Sequence, residues 1–374
     1  MRVADGPGGI SAALCAVDAP ATDADGQHVI EWFAAYDSAT DLVPEPDRAV
    51  ARANLAATNG FDLLLTEQRR AWAARWQDID IRIEGDEELQ LATRFGLFHL
   101  MGSVPDSGEA AVGARGLTGQ DYRGHVFWDA DTFVLPCLAA THPASARAML
   151  EYRIKRLPAA RDAAREDHRS GARFPWESAR SGRDVTPRSA RDRTGKLVPI
   201  RTGQLEEHIV AEVAWAACHY GDWTGDREFM RGPGLRLLVD TARYWASRVQ
   251  LESDGTAHIY GVIGPDEYHE SVDDNAFTNV MARWNLRRAA GDVEIAEAGS
   301  ESVSAAERTR WRELADALVD GYDADSGVYE QFAGFTRLDP LIIAEAAPRR
   351  PIAASLRPSP AVGLVPVLER IAQR

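Results

Sequence analysis

Gly261-Val262-Ile263-Gly264-Pro265-Asp266-Glu267-Tyr268-His269-Glu270 sets two adjacent carboxylates between a Gly-Pro turn and a tyrosine. Pro265 stops a helix and the flanking glycines favour a turn, so the stretch reads as a loop between helices. A carboxyl group held on such a loop beside aromatic and amide groups is partly desolvated. Its pKa then rises, and it can donate a proton at neutral pH. That is the equipment for protonating a leaving-group oxygen, as in glycoside cleavage. Neighbouring loop residues point in different directions, so Asp266 and Glu267 do not form one dyad. One acts on a substrate and the other braces the loop, and the ten residues alone favour neither. An ordinary acidic connection between two helices fits them as well.

Further aromatic-acidic clusters stand upstream. Gly124-His125-Val126-Phe127-Trp128-Asp129 places a flat indole beside a carboxylate. This is a common way to grip a sugar, the ring face stacking on the apolar side while the acid bonds hydroxyls. The plain alternative is a core tryptophan with Asp129 capping a helix. His125 and Arg123 flank the pair and add donors, although a single histidine is more often a structural hydrogen-bonding group. Phe174-Pro175-Trp176-Glu177-Ser178 is a third such loop. Glu206, Glu207 and His208 open a helix, where acids are favoured by the helix dipole alone.

Bulk properties narrow the class. The chain has 374 residues, a net charge of −15 and a pI near 5.1, which argues against nucleic acid or an anionic membrane surface as partner. No apolar run is long enough to span a bilayer. The N-terminus lacks a continuous apolar region and carries acids, so a cytoplasmic setting is expected. Cys15, Cys137 and Cys218 are widely spaced and suit buried thiols. No His or Cys spacing points to a metal, H-E-x-x-H and G-x-S-x-G do not occur, and no cofactor is expected.

Along the chain the pattern is helical. Residues 1–26 read as poorly ordered, and 28–36 as a short strand without partners. A helical stretch follows, with Leu55, Phe61, Leu64, Leu65, Trp72 and Trp76 spaced along it and Asn59-Gly60 interrupting it. Another helix covers 88–100. The spacing then predicts helices over 129–140, 143–167, 204–221, 235–250, 275–290 and 305–320, with Asp273-Asp274-Asn275 as a cap. Long loops between them hold most of the Trp, Tyr and acidic residues, so helices form the scaffold and loops carry the chemistry. Prolines break up 348–374, which reads as irregular.

These residues resemble glycoside hydrolase family 65, the inverting disaccharide phosphorylases acting on maltose, trehalose or kojibiose. The matching pieces stand in family order. They are Gly116-Leu117-Thr118-Gly119 with Tyr122-Arg123-Gly124-His125-Val126-Phe127-Trp128-Asp129, and Tyr152-Arg153 with Leu157-Pro158-Ala159-Ala160-Arg161. Gly171-Ala172-Arg173-Phe174-Pro175-Trp176-Glu177-Ser178 and Glu207-His208-Ile209 come next. Thr241-Ala242-Arg243-Tyr244-Trp245, Gly264-Pro265-Asp266-Glu267-Tyr268, Asn275 and Thr278-Asn279 complete the series. The resemblance implies an all-α chain, with linker helices over 45–85 and an incomplete (α/α)6 barrel of the six-hairpin glycosidase type over 86–347. Residues 1–44 then hold the remnant strand of an N-terminal β-sandwich. It also implies Glu267 as general acid, with Trp128 and Asp129 gripping the glucosyl unit. His125, Glu177, His208 and Tyr268 follow as residues lining the pocket.

Departures from the family pattern shape the functional expectation. Its FWDTE motif reads Phe127-Trp128-Asp129-Ala130-Asp131 here. Its Lys-Gln-Ala-Asp and His-Gly-Ser-Ser-Leu-Ser segments, which contact the glucosyl unit and phosphate, have no counterpart. The polypeptide therefore reads as a fragment, and an incomplete barrel should expose inner faces. The inherited function is inverting cleavage of an α-glucosyl disaccharide with inorganic phosphate as co-substrate and nucleophile. The rivals are a family 65 hydrolase that uses water, and a non-catalytic remnant or sugar-binding helical module. The resemblance also leaves room for a homodimer.

Overall fold

The computed structural model describes residues 2–6, 10–22, 25–26, 28–38, 46–117, 121–192, 195–295 and 303–338. It falls into a large unit up to Ala333 and a second from Gly334. In the second unit the described part is a 3-10 turn, Phe335–Arg337. The tail 348–374, expected to be irregular, lies outside the described residues.

The N-terminal expectation needs correction. The strand expected at 28–36 is present as His28–Ser38 (β3), but it has partners: Arg2–Gly6 (β1) and Ile10–Thr22 (β2). The three form an antiparallel sheet in the order β1-β2-β3, with Leu14 opposite Ala34 and Ala16 opposite Trp32. Ala-, Gly- and Asp-rich segments carry little strand propensity of their own, and pairing with an aromatic, β-branched neighbour overrides it. The register shifts between Val17 and Ala21, where Pro20 removes a ladder donor.

Pro46–Ile79 (α1) packs on this sheet through Ala49 and Ala53. Buried Asp37 of β3 fixes the contact by accepting from Arg48 Nε at 3.0 Å. Gly60 (φ 76) breaks α1 where Asn59-Gly60 predicts an interruption. The far half of α1 meets Glu87–Ser103 (α2) by stacking Trp72 on Phe98, with ring centroids 4.7 Å apart. Asp86 caps α2 by accepting from Leu89 N.

A π-turn at Ala130–Val134 leads into Leu135–Thr141 (α3), and Pro143–Lys155 (α4) follows. The helix expected over 143–167 is two, because Leu157–Glu166 (α5) begins with Pro158 in its first turn and the chain breaks at Arg156. A hairpin of Ser189–Arg191 (β4) and Leu197–Pro199 (β5) precedes Thr202–Leu205 (α6). Ile209–Thr224 (α7) then ends on left-handed Gly225. Arg227–Arg231 (α8) and Pro233–Arg248 (α9) come next, and Gln250–Leu251 (β6) pairs with Ala257–His258 (β7). Ala276–Ile295 (α10), Ala305–Ala317 (α11) and the hairpin of Tyr322–Asp323 (β8) with Val328–Tyr329 (β9) complete the large unit.

Helix α7 organises the body. Its residues 209, 213, 216, 217 and 220 join a core with Leu135, Leu138, Leu150, Tyr152 and Phe229. Its residues 210, 211, 214 and 218 join a second core with Leu238, Trp245, Leu286, Trp311 and Leu314. A helix apolar on both faces is one that is enclosed. Truncating a tryptophan as buried as Trp245 to alanine costs about 3–5 kcal/mol. Apolar side chains also remain uncovered. Leu89, Leu91 and Phe95 of α2 are exposed, and Phe277 and Val280 of α10 line an open groove.

Candidate active site

Three loop segments meet at one cavity of about 880 Å3. The first two are stitched together by a backbone pair: Val126 N donates to Ser178 O at 2.8 Å and Ser178 N to Val126 O at 3.0 Å. This bridge holds His125, Trp128 and Asp129 beside Trp176 and Glu177. The third is the Gly264–Glu270 loop. It is pinched at its base by the Val262–Val272 pairing and fastened to the end of α6 by Ile263 N donating to Leu205 O at 2.9 Å. Gly264 has to be glycine, since a β-carbon there would overlap the Asn275 carboxamide that caps α10.

Glu267, Trp128, Asp129, His125 and Glu177 all line the cavity, together with Arg123 and Trp176. His208 and Tyr268 do not. Tyr268 is 95% exposed, turned outward by the loop. His208 is fully buried behind the wall, its ring edge-on to Trp128 at 4.8 Å between centroids. The expectation that these two line the pocket is therefore corrected. A residue adjacent to a lining one points the other way on a tight loop, and His208, just before α7, is enclosed by aromatic rings.

The two acids of the loop divide their labour visibly. Asp266 accepts from Tyr268 N at 3.1 Å and from Gln331 Nε2 at 2.8 Å, and it meets His269 Nδ1 at 3.0 Å. The Gln331 hydrogen bond and the others hold its carboxyl below the usual range despite partial burial. Glu267 is open to the cavity, yet the walls desolvate it and raise its pKa. The Asp129 charge adds to this and the His208 charge opposes it. One carboxyl is thus spent on the loop, and the other faces the cavity with its pKa raised by burial.

Asp129 stands at the cap position of the π-turn but makes no side-chain capping bond. Burial raises its pKa, and the Asp131 charge adds to that. His125 Nδ1 lies 2.5 Å from Glu177 Oε1. Behind Trp128, Asp131 is salt-bridged to buried Arg153, whose Nη2 also donates to Phe127 O at 3.2 Å. The Ala130-Asp131 departure keeps an acid for that arginine.

The sequence reading took Glu206, Glu207 and His208 as the opening of a helix and did not single out Glu212. Helix α7 begins only at Ile209, so Glu206 and His208 sit on the connection before it. Both acids are buried against the His208 ring. The E-x-H-x-x-x-E spacing is the available signal, since i and i+4 share a helix face.

Comparisons with known proteins give the family and the fold. The family model "Glycosyl hydrolase family 65 central catalytic domain" matches residues 94–354. A kojibiose phosphorylase of Halothermothrix orenii is 38% identical over 307 residues, covering 78% of this chain and 39% of the relative. That of Escherichia coli K12 is 42% identical over 239 residues, covering 63% and 32%. This chain thus spans well under half the length of these relatives. A solved structure from the human microbiome, provisionally named a kojibiose phosphorylase, superposes with a TM-score of 0.74 at 22% identity. It covers 92% of this chain and 50% of its own. The helical body is that of an incomplete (α/α)6 barrel preceded by linker helices, with the N-terminal sheet added. The chain belongs to glycosyl hydrolase family 65, and the match to its central catalytic domain takes in both the Trp128 turn and the Glu267 loop.

Proposed function

We propose that this chain bears the proton-donating side of an inverting disaccharide phosphorylase acting on an α-glucosyl disaccharide. The observation that carries the reading is the meeting of Glu267 with Trp128 and Asp129 on one cavity. Trp128 offers a ring face to the glucosyl unit and Asp129 accepts from its hydroxyls. Glu267 gives its proton to the glycosidic oxygen as that oxygen leaves the anomeric carbon. A phosphate oxygen attacks the same carbon from the opposite face, which yields β-glucose 1-phosphate and a free sugar. With phosphate as the attacking group no protein base is required. Glu267, left ionised, regains its proton before the next turnover. Arg123 and the His125–Glu177 pair line the same cavity and are assigned to substrate contact.

Its test is product analysis. The protein is incubated with kojibiose, maltose and trehalose, with and without phosphate. Release of β-glucose 1-phosphate only when phosphate is present is the expected result. Equal glucose release without phosphate would make the protein a hydrolase. No turnover combined with glucose binding in isothermal titration would make it a sugar-binding module.

A further inference from the structure

The wall behind Trp128 contains three ionisable side chains that the cleavage step does not touch. His208 is fully buried, and Glu206 and Glu212 are 2% and 1% exposed. The ring's Nδ1 lies 2.9 Å from Glu212 Oε2 and its Nε2 lies 3.2 Å from Glu206 Oε1. A neutral imidazole has one N–H and can donate to only one of them, whereas an imidazolium donates to both. The geometry therefore calls for the charged ring. Burial opposes that charge, but Glu212's charge and the hydrogen bonds to both acids outweigh it and push His208 up to about 9.

Such a cluster is expensive to bury, and hydrophobic replacements of similar volume commonly stabilise a fold. Its surroundings point to a use. Trp128, Trp176 and Phe277 pack edge-on around the ring with centroids 4.8, 5.5 and 5.4 Å away. Through the Ile263–Leu205 hydrogen bond the same segment holds the Glu267 loop. The charges facing the group are few. Glu267 faces His208 and Asp129, and Glu206 faces His208, Glu267 and Glu212. Glu212 faces His208 and Asp131, the latter already paired with Arg153. From α10 comes the apolar Phe277.

We propose that Glu206, His208 and Glu212 are positioning residues that set the protonation of Glu267 from behind the cavity wall. The His208 cation favours ionised Glu267, and Glu212 and Glu206 act indirectly by keeping the ring charged. Two isosteric changes then act in one direction with different size. Glu212→Gln removes the larger support for the cation, so Glu267 holds its proton to higher pH. Glu206→Gln removes the smaller support and shifts Glu267 the same way by less.

The catalytic meaning of this coupling rests on Glu267 being the general acid, but the coupling itself is measured without turnover. The full chain is labelled with 13Cδ-glutamate, the Glu267 signal is assigned by its loss in E267Q, and its titration is followed by NMR. The midpoint is expected to rise by about half a pH unit in E212Q and by less in E206Q. No rise in E212Q, or a fall in either variant, overturns the proposal. Should either variant fail to fold, 15N-histidine spectra of the parent decide. A buried ring with two slowly exchanging N–H protons at pH 7.5 supports the proposal, and a neutral ring there overturns it. If Glu267 responds but turnover does not depend on it, the coupling stands and the general-acid reading falls. If turnover depends on Glu267 and its midpoint does not respond, the converse holds.

Discussion

Ile263 N donates to Leu205 O at 2.9 Å, tying the loop that bears Glu267 to the segment that bears Glu206 and His208. The acid is thereby positioned by backbone, and its carboxyl has no side-chain hydrogen bond among the described residues while Asp266 does the bracing. Glu267→Gln should therefore lower kcat by at least ~10²-fold with little change in KM. Asp266→Asn keeps the shape of the brace and the proton donor, and should cost less than about 10-fold. Steady-state kinetics of both variants check this, and equal losses would contradict the division of labour.

Gly264 sits against the cap of α10. Asn275 Oδ1 accepts from Thr278 N at 3.1 Å, and a β-carbon on residue 264 would lie 2.6 Å from Asn275 Cγ. Either the cap or the acid's loop has to move. Gly264→Ala should lower stability by about 1–3 kcal/mol in urea unfolding. Adding Asn275→Gly clears the space at only a few tenths of a kcal/mol in capping. The double variant should therefore be more stable than Gly264→Ala alone. If Gly264→Ala unfolds at the parent's urea concentration, the close approach is wrong.

Sequence was a good guide where the local pattern and the tertiary structure ask for the same thing. Asn275 caps α10, Gly60 interrupts α1, and the Trp128 and Glu267 loops reach one cavity as their aromatic-acidic composition suggests. It was a poor guide where the partner lies far along the chain. Nothing in Ile10–Thr22 announces a strand, because its ladder depends on β3. Glu206 and His208 looked like the first turn of a helix, whose chemistry is solvated. Only the break before Ile209, and the rings of Trp128, Trp176 and Phe277 drawn from other elements, enclose them.

Arg153 and Asp131 form a buried ion pair directly behind the Trp128 turn, at 2% and 3% exposure. Arg153 also donates to Ser178 Oγ at 3.3 Å and so spans both strands of the stitch beneath the cavity. Arg153→Met leaves Asp131 buried and uncompensated beside Glu212, and should destabilise by about 3–5 kcal/mol. Replacing both members, Arg153→Met with Asp131→Leu, should recover most of that loss. Urea denaturation of the two variants measures it, and a double variant no more stable than the single one would show that the pair is not the cause.

The His208 cluster gives stability a definite pH dependence. In the unfolded chain a histidine titrates near 6.5, and in the fold His208 is raised to about 9. Below 6.5 both states hold the proton, and between the two values only the folded state does. Its contribution is therefore complete below about 6.5 and is lost as pH rises towards 9. Glu206 acts in the same direction over a lower window. Burial chiefly raises it from 4.5 to about 7, so folding loses stability as pH climbs through that range. Comparing pH 7 with pH 9 spans most of the histidine change, since most of the Glu206 change is then complete. The parent should lose on the order of 1–3 kcal/mol from this cluster across that interval. Glu212→Gln removes the strongest support for the cation, and the loss should shrink. Urea midpoints at the two pH values measure it in both proteins. Parallel declines would place the histidine proton outside the folded state's hold.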